Sequence, residues 1–387
     1  MQEPVEQDLE LDNLSLCSCL ISASLIASLI VAQRGWVMDK RTYPHLPMLD
    51  SLSIAQPLEP LLYGVMVTAL LVFNFNARKK LLASIFAIAA LATIALDQTR
   101  LQPWFYLFSI MLFLSASLKS INACSSVLNA LRICILSTYL FAGLQKLNIS
   151  FCQIVVPSMM GKVIPDMPTQ LGCAIGIPLA ITEAALALLL AFPRTQKIGA
   201  YLAIFFHAIT LWLITQANWN AVVWPWNISM MVLVYLLFIR SKPAGFISLF
   251  KPDSLQKVIA IALFLFLPVL NFFGLWDNYL SSALYSGNVP VLRIQVNEED
   301  EARLPSSIRQ AVDITDRAKP TLVVERWALD ELGVPSYPEV RTLEKLAEKI
   351  LETGRFSRSR FYIETFPRFF KGEKGSRTLF LSATESR

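Results

Sequence analysis

The residues best placed for acid–base chemistry stand at the end of an apolar run, in YLFAGLQKLN, residues 139–148. Lys146 and Asn148 close this segment. One interpretation is that the Lys146 ammonium reaches the lipid headgroups, where it also favours the helix C-terminal dipole. The other is that Lys146 lines a cavity, where loss of hydration favours the neutral amine and lets it remove a proton. The spacing alone leaves both interpretations open.

The composition indicates that hydrocarbon surrounds most of the chain. Of the 387 residues, 55% are hydrophobic and only 16% are charged. About 20 mostly apolar residues are needed to cross a bilayer as a helix. Nine runs approach that length, and we predict nine transmembrane helices at 14–32, 58–75, 81–97, 104–118, 125–145, 171–192, 198–215, 221–239 and 258–275.

Charged residues become much denser after Tyr285, which indicates a change of solvent. We predict an acidic N-terminal segment over 1–13, a transmembrane domain over 14–284 and a soluble domain over 285–387. The soluble domain is expected to be α+β, with a helix in PEVRTLEKLAEKILETG and strands in LRIQVN, RFYIETF and TLFLSA. The predicted fold class is therefore an all-α polytopic membrane bundle followed by a small α+β domain.

The orientation follows from Lys and Arg in the short loops, which favour the cytoplasmic side. Under nine crossings, more of these residues share a side with the N-terminus, including Arg78, Lys79 and Lys80. The opening MQEPVEQDLELDN has no positive region, so the first apolar run is expected to remain as an anchor. We therefore predict an integral membrane protein with a cytoplasmic N-terminus and an exoplasmic C-terminal domain.

Polar and aromatic residues cluster at the predicted outer helix ends, in DQTRLQPW, QKLN, QANWNAVVWPW and NFFGLWDNY. Tryptophan and tyrosine also gather at membrane interfaces when nothing binds there. Such a belt should mark both interfaces, whereas seven of the eight tryptophans lie at predicted outer helix ends or in the tail, and only Trp212 lies away from them. The imbalance favours a site that opens toward the outer leaflet.

Three ionisable residues fall within predicted spans: Arg132, Glu183 and His207. Such residues are rare in spans and usually face the bundle interior with a partner. Glu183 and His207 lie near the middle of neighbouring spans, so we expect them to pair, either as a structural contact or as part of a proton path. Arg132 lies nearer a helix end and is expected to snorkel toward the cytoplasmic headgroups.

Other site classes receive little support from the sequence. Cys152 and Cys173 flank one predicted outer loop, where a disulfide and two free thiols are equally compatible with the pattern. Two histidines are too few for a His-rich metal site, and no metal is expected. The net charge of +5 is small, so nucleic acid is not an expected partner.

Several segments together resemble one known family. AGLQKLN resembles the AG-x-x-KL-[ND] motif of the horizontally transferred transmembrane (HTTM) domain family, which is related to vitamin K-dependent gamma-glutamyl carboxylase. DQTRLQPWFYL resembles the segment before the lysine helix in bacterial members, and LWDNYLSSALYSGN resembles the end of their membrane domain. DELGVPSYPEVR resembles their C-terminal domain, so the resemblance covers most of the chain.

The resemblance implies a chemistry. The lysine that matches Lys146 is taken to deprotonate vitamin K hydroquinone in the carboxylases, so Lys146 would be the base and vitamin K hydroquinone or another quinol the cofactor. The residues expected to hold the ring are those of the outer clusters: Asp97, Arg100, Trp104, Asn148, Trp219, Trp276 and Asp277. Membrane lipid, a quinol and a protein or peptide substrate outside the membrane are the expected partners.

Two departures separate this chain from the carboxylases. The carboxylases carry a histidine where this chain has Trp104, and a tryptophan side chain cannot exchange protons there. They also have a large lumenal part that holds the substrate, whereas about 100 residues remain here. Two hypotheses therefore stand: a quinol-linked membrane enzyme, and a non-catalytic accessory or scaffold protein that binds a lipid or a partner.

Overall fold

The computed structural model describes residues 4–38, 40–76, 78–118, 120, 123–314, 320–366 and 377–379. The chain forms two compact units. Unit 1 contains residues 1–30, 65–88 and 103–287, and unit 2 contains residues 31–64, 89–102 and 288–387. The C-terminal segment therefore clusters with two segments drawn from the earlier part of the chain.

Seventeen α-helices occur in the described residues, and they are numbered here in chain order. They are α1 (Pro4–Val31), α2 (Arg34–Val37), α3 (Glu59–Phe73), α4 (Lys79–Leu96), α5 (Pro103–Ala116), α6 (Cys124–Gln145), α7 (Val156–Met160), α8 (Thr169–Ala191), α9 (Gln196–Gln216), α10 (Val223–Val234), α11 (Phe246–Phe250), α12 (Leu255–Ala260), α13 (Leu267–Asn271), α14 (Glu298–Glu301), α15 (Ser306–Arg309), α16 (Val324–Leu332) and α17 (Val340–Glu352). Short 3₁₀ turns cover Asp50–Leu58, Gln98–Arg100 and Tyr279–Ser281, and π-helical turns cover Phe151–Val155, Tyr235–Arg240 and Ile261–Phe266.

Seven helical segments of the described chain are long and apolar enough to cross a membrane. They are Gln7–Val31, Asp50–Phe73, Lys79–Leu96, Cys124–Gln145, Thr169–Ala191, Gln196–Gln216 and Val223–Arg240. Two predicted spans correspond to shorter apolar helices, Pro103–Ala116 and Leu255–Asn271. The prediction of a mostly helical chain is confirmed, and seven of its apolar runs do fold as helices of membrane length.

Helix α6 forms the centre of unit 1. Almost all of its residues are buried, whereas α8 and α9 expose large apolar side chains such as Leu188, Phe205 and Trp212. A helix that is apolar all round belongs inside a bundle, and apolar residues on outer helices suit contact with lipid. The exposed faces of α8 and α9 are therefore what a membrane-embedded bundle requires.

A glycine sets the distance between α6 and α8. A Cβ added at Gly143 would lie 2.3 Å from the backbone nitrogen of Ala184 and 2.7 Å from the carbonyl oxygen of Ala180. Only a residue without a side chain permits this approach, as in other helix pairs that pack through small residues. The AG of AGLQKLN therefore brings the end of α6 against the middle of α8.

Asn148 organises the chain immediately after α6. Its Nδ2 donates to the carbonyl oxygens of Gln145 and Ser286 at 2.8 Å, and its Oδ1 accepts from the backbone nitrogen of Phe151 at 2.9 Å. Gly287 adopts a φ of +76°, and a Cβ there would lie 2.7 Å from the Phe151 nitrogen. The segment around 286–287 thus packs directly on the turn that follows Lys146.

Unit 2 contains a five-stranded antiparallel sheet with strand order β2-β3-β1-β4-β5. The strands are β1 (Val291–Gln295), β2 (Val312–Asp313), β3 (Thr321–Val323), β4 (Arg360–Glu364) and β5 (Arg377–Leu379). In the register, Ile294 pairs with Leu322 on one side and Phe361 on the other. The small α+β domain is confirmed, although residues 380–383 of the predicted last strand lie outside the described residues.

The amphipathic pattern after Pro338 forms α17, as predicted. The helix buries Leu343, Leu346, Ala347 and Ile350, and Gly354 follows with a φ of +69°. These positions recur every three or four residues and so lie on one face of the helix. The buried face makes α17 part of the core of unit 2.

The DELGVPSYPEVR segment is held by hydrogen bonds within unit 2. The Glu331 carboxylate accepts from the backbone nitrogen and hydroxyl of Thr42 and, at 2.7 Å, from Trp327 Nε1. The Tyr43 hydroxyl contacts Ser336 Oγ at 2.9 Å, and Gln102 Nε2 donates to the Pro335 carbonyl at 3.0 Å. Two of the segments on which the family resemblance depends therefore meet in this unit.

Candidate functional site

Unit 1 contains a cavity among α6, α8, α9, α10 and the segment 282–285. The cavity has a volume of about 90 Å³, which is smaller than the several hundred Å³ common for small-molecule sites, so a ring-sized ligand requires the cavity to widen. Like such sites, its wall is mostly apolar with a few polar groups. The lining residues are Thr138, Tyr139, Ala142, Lys146, Phe151, Met159, Leu179, Glu183, Phe206, His207, Thr210, Ile214, Val223, Trp226, Asn227, Met230, Ser282, Leu284 and Tyr285.

An ion pair forms one polar side of the cavity. Lys146 Nζ lies 2.6 Å from Glu183 Oε2, and the two side chains are only 14% and 10% exposed. The pair forms because Gly143 lets α6 approach α8 closely, one turn before Lys146 on the same helix. Because the pair lines the cavity, the Lys146 ammonium does not simply extend into the headgroups.

A hydrogen-bonded chain of three side chains forms a second polar side. The Tyr139 hydroxyl lies 2.8 Å from His207 Nε2, and His207 Nδ1 lies 2.9 Å from Asn227 Oδ1. All three residues are buried and lie on different helices, α6, α9 and α10. Buried polar groups are costly unless they are hydrogen-bonded, and this chain satisfies the imidazole on both nitrogens.

One donor in the cavity wall has no partner. The indole Nε1 of Trp226 is buried and forms no hydrogen bond with the described residues. An indole nitrogen is only a donor, so the group it can bind must carry an acceptor. Close by, Trp219 packs on Tyr285 with ring centroids 4.8 Å apart, and Asn220 Nδ2 donates to the Tyr285 hydroxyl at 2.6 Å.

The predicted ligand set divides in the structure. Lys146 lines the cavity, and Trp219 contacts the lining residue Tyr285. Asn148 holds the turn after α6 rather than lining the cavity. The carbonyl of Trp276 accepts from Asn271 at 2.7 Å, and that of Asp277 accepts from Ser281 at 2.9 Å, so both shape the segment after α13.

Trp104 is part of the core of unit 1. It is 1% exposed and packs edge-on against Phe105, with ring centroids 5.5 Å apart. Buried aromatic pairs of this geometry contribute mainly through packing. Trp104 is therefore a packing residue and not part of the cavity.

Asp97 and Arg100 belong to an ion-pair cluster in unit 2. Arg41 Nη2 lies 2.5 Å from Asp97, and Arg100 Nη2 lies 2.6 Å from Glu59, while His45 Nδ1 lies 3.5 Å from Glu59. Burial by itself raises the pKa of Asp97, but the charges of Arg41 and Arg100 outweigh it and lower that pKa to about 2. The two residues hold segments of unit 2 together.

Two expectations about intramembrane groups are wrong. Glu183 and His207 do not pair with each other, because Lys146 takes Glu183 and Tyr139 with Asn227 takes His207. Arg132 does not snorkel: it is 4% exposed and donates to the carbonyl oxygens of Leu237 and Lys242, and to Asn129 Oδ1. Buried guanidinium groups need such partners, and the carbonyls at the end of a π-helical turn supply them.

The remaining expectations concern cysteines and metals. Cys152 and Cys173 are both free thiols. Among the described residues, no group of His, Cys, Asp and Glu side chains is arranged to hold a metal ion.

Sequence reasoning missed Tyr139 and Asn227, whereas Trp226 ends QANWNAVVWPW, one of the predicted outer clusters, without being among the residues expected to hold the ring. Tyr139 and Lys146 are seven residues apart and therefore share a face of α6, which is a usable signal once Lys146 is suspected. Asn227 carries no such signal, because its neighbours in the cavity come from helices distant in sequence.

Comparison of the whole chain with protein-family models, curated proteins and solved structures gives no match.

Proposed function

We propose that this chain is an integral membrane protein that binds a quinol-type, lipid-soluble cofactor in the cavity of unit 1 and takes a proton from it at the Lys146–Glu183 pair. The observation that carries the proposal is an ion pair 2.6 Å long in the wall of a largely apolar cavity. An ionisable pair in a membrane bundle is rare and marks a functional site by default.

The cavity residues suit a ring that carries hydroxyl groups. The apolar wall of Phe151, Leu179, Phe206 and Leu284 suits an aromatic face. Glu183 and Tyr139 offer oxygen acceptors, and the unpartnered Trp226 Nε1 offers a donor. A quinol supplies phenolic protons and reducing electrons when it is bound. These residues together can hold its ring and orient both of its oxygens.

The proton balance of the pair supports its role as a base. In the ion pair the proton is on the Lys146 ammonium, and the Glu183 carboxylate is free to accept a further proton at one of its oxygens. Lys146 Nζ has three donors, so it can remain bound to Glu183 and also face a ligand oxygen. In this proposal Glu183 receives the proton and Lys146 stabilises the negative charge left at the ligand oxygen, so the base predicted at Lys146 is shared between the two residues.

We also propose the number of membrane crossings, the orientation of the chain and its family relationship. Nine crossings result if α5 and the segment Leu255–Asn271 also span the membrane, and with a cytoplasmic N-terminus the C-terminal domain, 285–387, is exoplasmic. The HTTM and gamma-carboxylase-like relationship is proposed on the quoted motifs alone. Because Trp104 is a packing residue, the proposal is limited to quinol binding and proton removal, and it does not include glutamate carboxylation.

A naphthol that keeps one ionisable hydroxyl tests the proposal. In purified protein in lipid nanodiscs, bound 4-methoxy-1-naphthol is expected to show the naphtholate absorbance band at a pH where the free compound is neutral. Glu183→Gln should abolish the band and Lys146→Met should weaken it. Lys257→Met is the matched control, because Lys257 is also buried and paired, with Asp253 at 2.7 Å, but does not line the cavity. Binding without any ionisation, or ionisation that survives Glu183→Gln, would instead support a non-catalytic lipid-binding protein.

A further inference from the structure

We infer that Tyr139 accepts a hydrogen bond from the second hydroxyl of the ligand, so that the cavity selects the reduced, dihydroxy form of the ring over its oxidised, dicarbonyl form. This inference rests on the proposed function and adds a specificity-determining residue to it. It comes from the direction of the hydrogen bonds through Asn227, His207 and Tyr139.

Asn227 fixes the direction of the first hydrogen bond in this chain of side chains. Its Nδ2 donates to the carbonyl oxygen of Val223 at 2.8 Å, so the amide orientation is set and Oδ1 is the atom that faces His207. Oδ1 can only accept, and therefore His207 Nδ1, 2.9 Å away, carries a hydrogen. Asn227 thus selects one tautomer of the imidazole.

The direction continues through His207. The imidazole is buried in a membrane bundle and faces an amide and a phenol, neither of which carries a negative charge. A cationic ring without a carboxylate partner is costly there, so the ring is neutral with its hydrogen on Nδ1. Nε2 is then an acceptor, and the Tyr139 hydroxyl, 2.8 Å away, donates to it.

The Tyr139 oxygen is therefore a hydrogen-bond acceptor toward the cavity. Its single hydrogen is used toward His207, so toward the cavity it offers lone pairs. Glu183 is also an acceptor, and both residues line the same cavity.

Two acceptors in the wall of one cavity distinguish the redox forms of one ring. A dihydroxy ring donates to both Tyr139 and Glu183. A dicarbonyl ring has only acceptor oxygens, so its oxygen at the Tyr139 end faces another acceptor and leaves both unsatisfied. An unsatisfied buried polar group is costly, and from this we expect the reduced form to bind about tenfold tighter than the oxidised form.

Binding of both redox forms to the intact protein tests the inference. The dissociation constants of 1,4-naphthoquinol, kept reduced anaerobically, and of 1,4-naphthoquinone are measured from tryptophan fluorescence in nanodiscs. Tyr139→Phe should bring the ratio of the two constants from about ten to near one, chiefly by weakening the quinol. Asn227→Leu removes the acceptor that sets the tautomer, and it should also reduce the ratio.

Tyr106→Phe is the matched control. Tyr106 lies on α5 in the same unit, and its hydroxyl is buried without a partner among the described residues, but it does not line the cavity. This variant should leave the ratio unchanged. Equal binding of the two forms by the wild-type protein, or an unchanged ratio in Tyr139→Phe, overturns the inference.

The two proposals fail separately. If Tyr139→Phe leaves the ratio of the two dissociation constants unchanged while the naphtholate band still requires Glu183, Tyr139 is not the second acceptor and the proposed function stands. If the wild-type protein prefers the reduced form through Tyr139 but never ionises a bound naphthol, the ligand class stands and the proton-accepting role of the pair is wrong. If neither redox form binds, both proposals fall.

Discussion

Lys146 Nζ contacts Glu183 Oε2 at 2.6 Å, although the two residues are 37 positions apart and lie on different helices. The contact depends on the close crossing of α6 and α8 at Gly143. Gly143, three residues before Lys146, therefore permits the helix crossing on which the Lys146–Glu183 contact depends.

Gly143→Ala should separate α6 from α8. The added Cβ would lie 2.3 Å from the Ala184 nitrogen, and backbone atoms cannot give way as a flexible side chain can. Overpacking of this kind typically costs about 1–3 kcal/mol, so we expect a lower midpoint of thermal unfolding in detergent and a weakened Lys146–Glu183 pair. Gly64→Ala on α3 is the control, because a Cβ there meets nothing within 4 Å. Equal midpoints for the two variants would show that the close crossing is not required.

The charges of the pair should be coupled. Lys146→Met leaves a carboxylate without its cation and Glu183→Met leaves the reverse, and breaking a buried ion pair from one side commonly costs about 3–5 kcal/mol. The double variant removes both charges, so it should be more stable than the sum of the single losses predicts. A double-mutant cycle on the unfolding free energy measures the coupling. Additive losses would mean that the two groups act independently.

Asp97 should contribute stability that acid removes. Its pKa is lowered from the ordinary 3.8 to about 2 in the folded chain, so its stabilising effect is full above about pH 4 and is lost as the pH falls toward 2. The lowered pKa corresponds to about 2 kcal/mol. Asp97→Asn should be less stable at neutral pH, because Arg41 loses its carboxylate, and should lack this component of acid sensitivity. A pH titration of the unfolding free energy compares the two, and parallel curves between pH 4 and 2 would contradict the prediction.

The two proposed sides of the membrane can be distinguished by labelling. Arg358 and Arg78 are both exposed, and the proposed topology puts Arg358 outside the cell and Arg78 inside. Arg358→Cys should react with a membrane-impermeant maleimide on intact cells, and Arg78→Cys should react only after permeabilisation. The native cysteines are buried or half-buried, which limits background labelling. The reverse pattern would put the C-terminal part of the chain in the cytoplasm.

The secondary structure of both units was largely predictable because it follows local patterns. Apolar runs of suitable length predicted the helices, and the spacing of Leu343, Leu346 and Ile350 predicted α17 and its buried face. Length was less predictable where a run is short: the run 104–118 forms only the 14 residues of α5.

The partners of the polar groups could not be predicted, because they depend on how distant segments pack. Glu183 was expected to bind His207 on the next helix, but the glycine at position 143 brings Lys146 to it instead. The sequence predicted a polar cluster at Asp97 and Arg100 but not its partners. Asp97 pairs with Arg41 and Arg100 pairs with Glu59, about 40 to 60 residues earlier in the chain. Residue type identified the groups that need partners, and the tertiary fold decides which partners they have.

The absorbance spectrum of bound 4-methoxy-1-naphthol tests the central claim most directly. If the Lys146–Glu183 pair removes a proton from the ligand, the wild-type protein and the Lys257→Met control will show the naphtholate band, and Glu183→Gln will show only the neutral naphthol. A neutral spectrum in the wild-type protein at saturating ligand would contradict the account, because the pair would then bind the hydroxyl without accepting its proton.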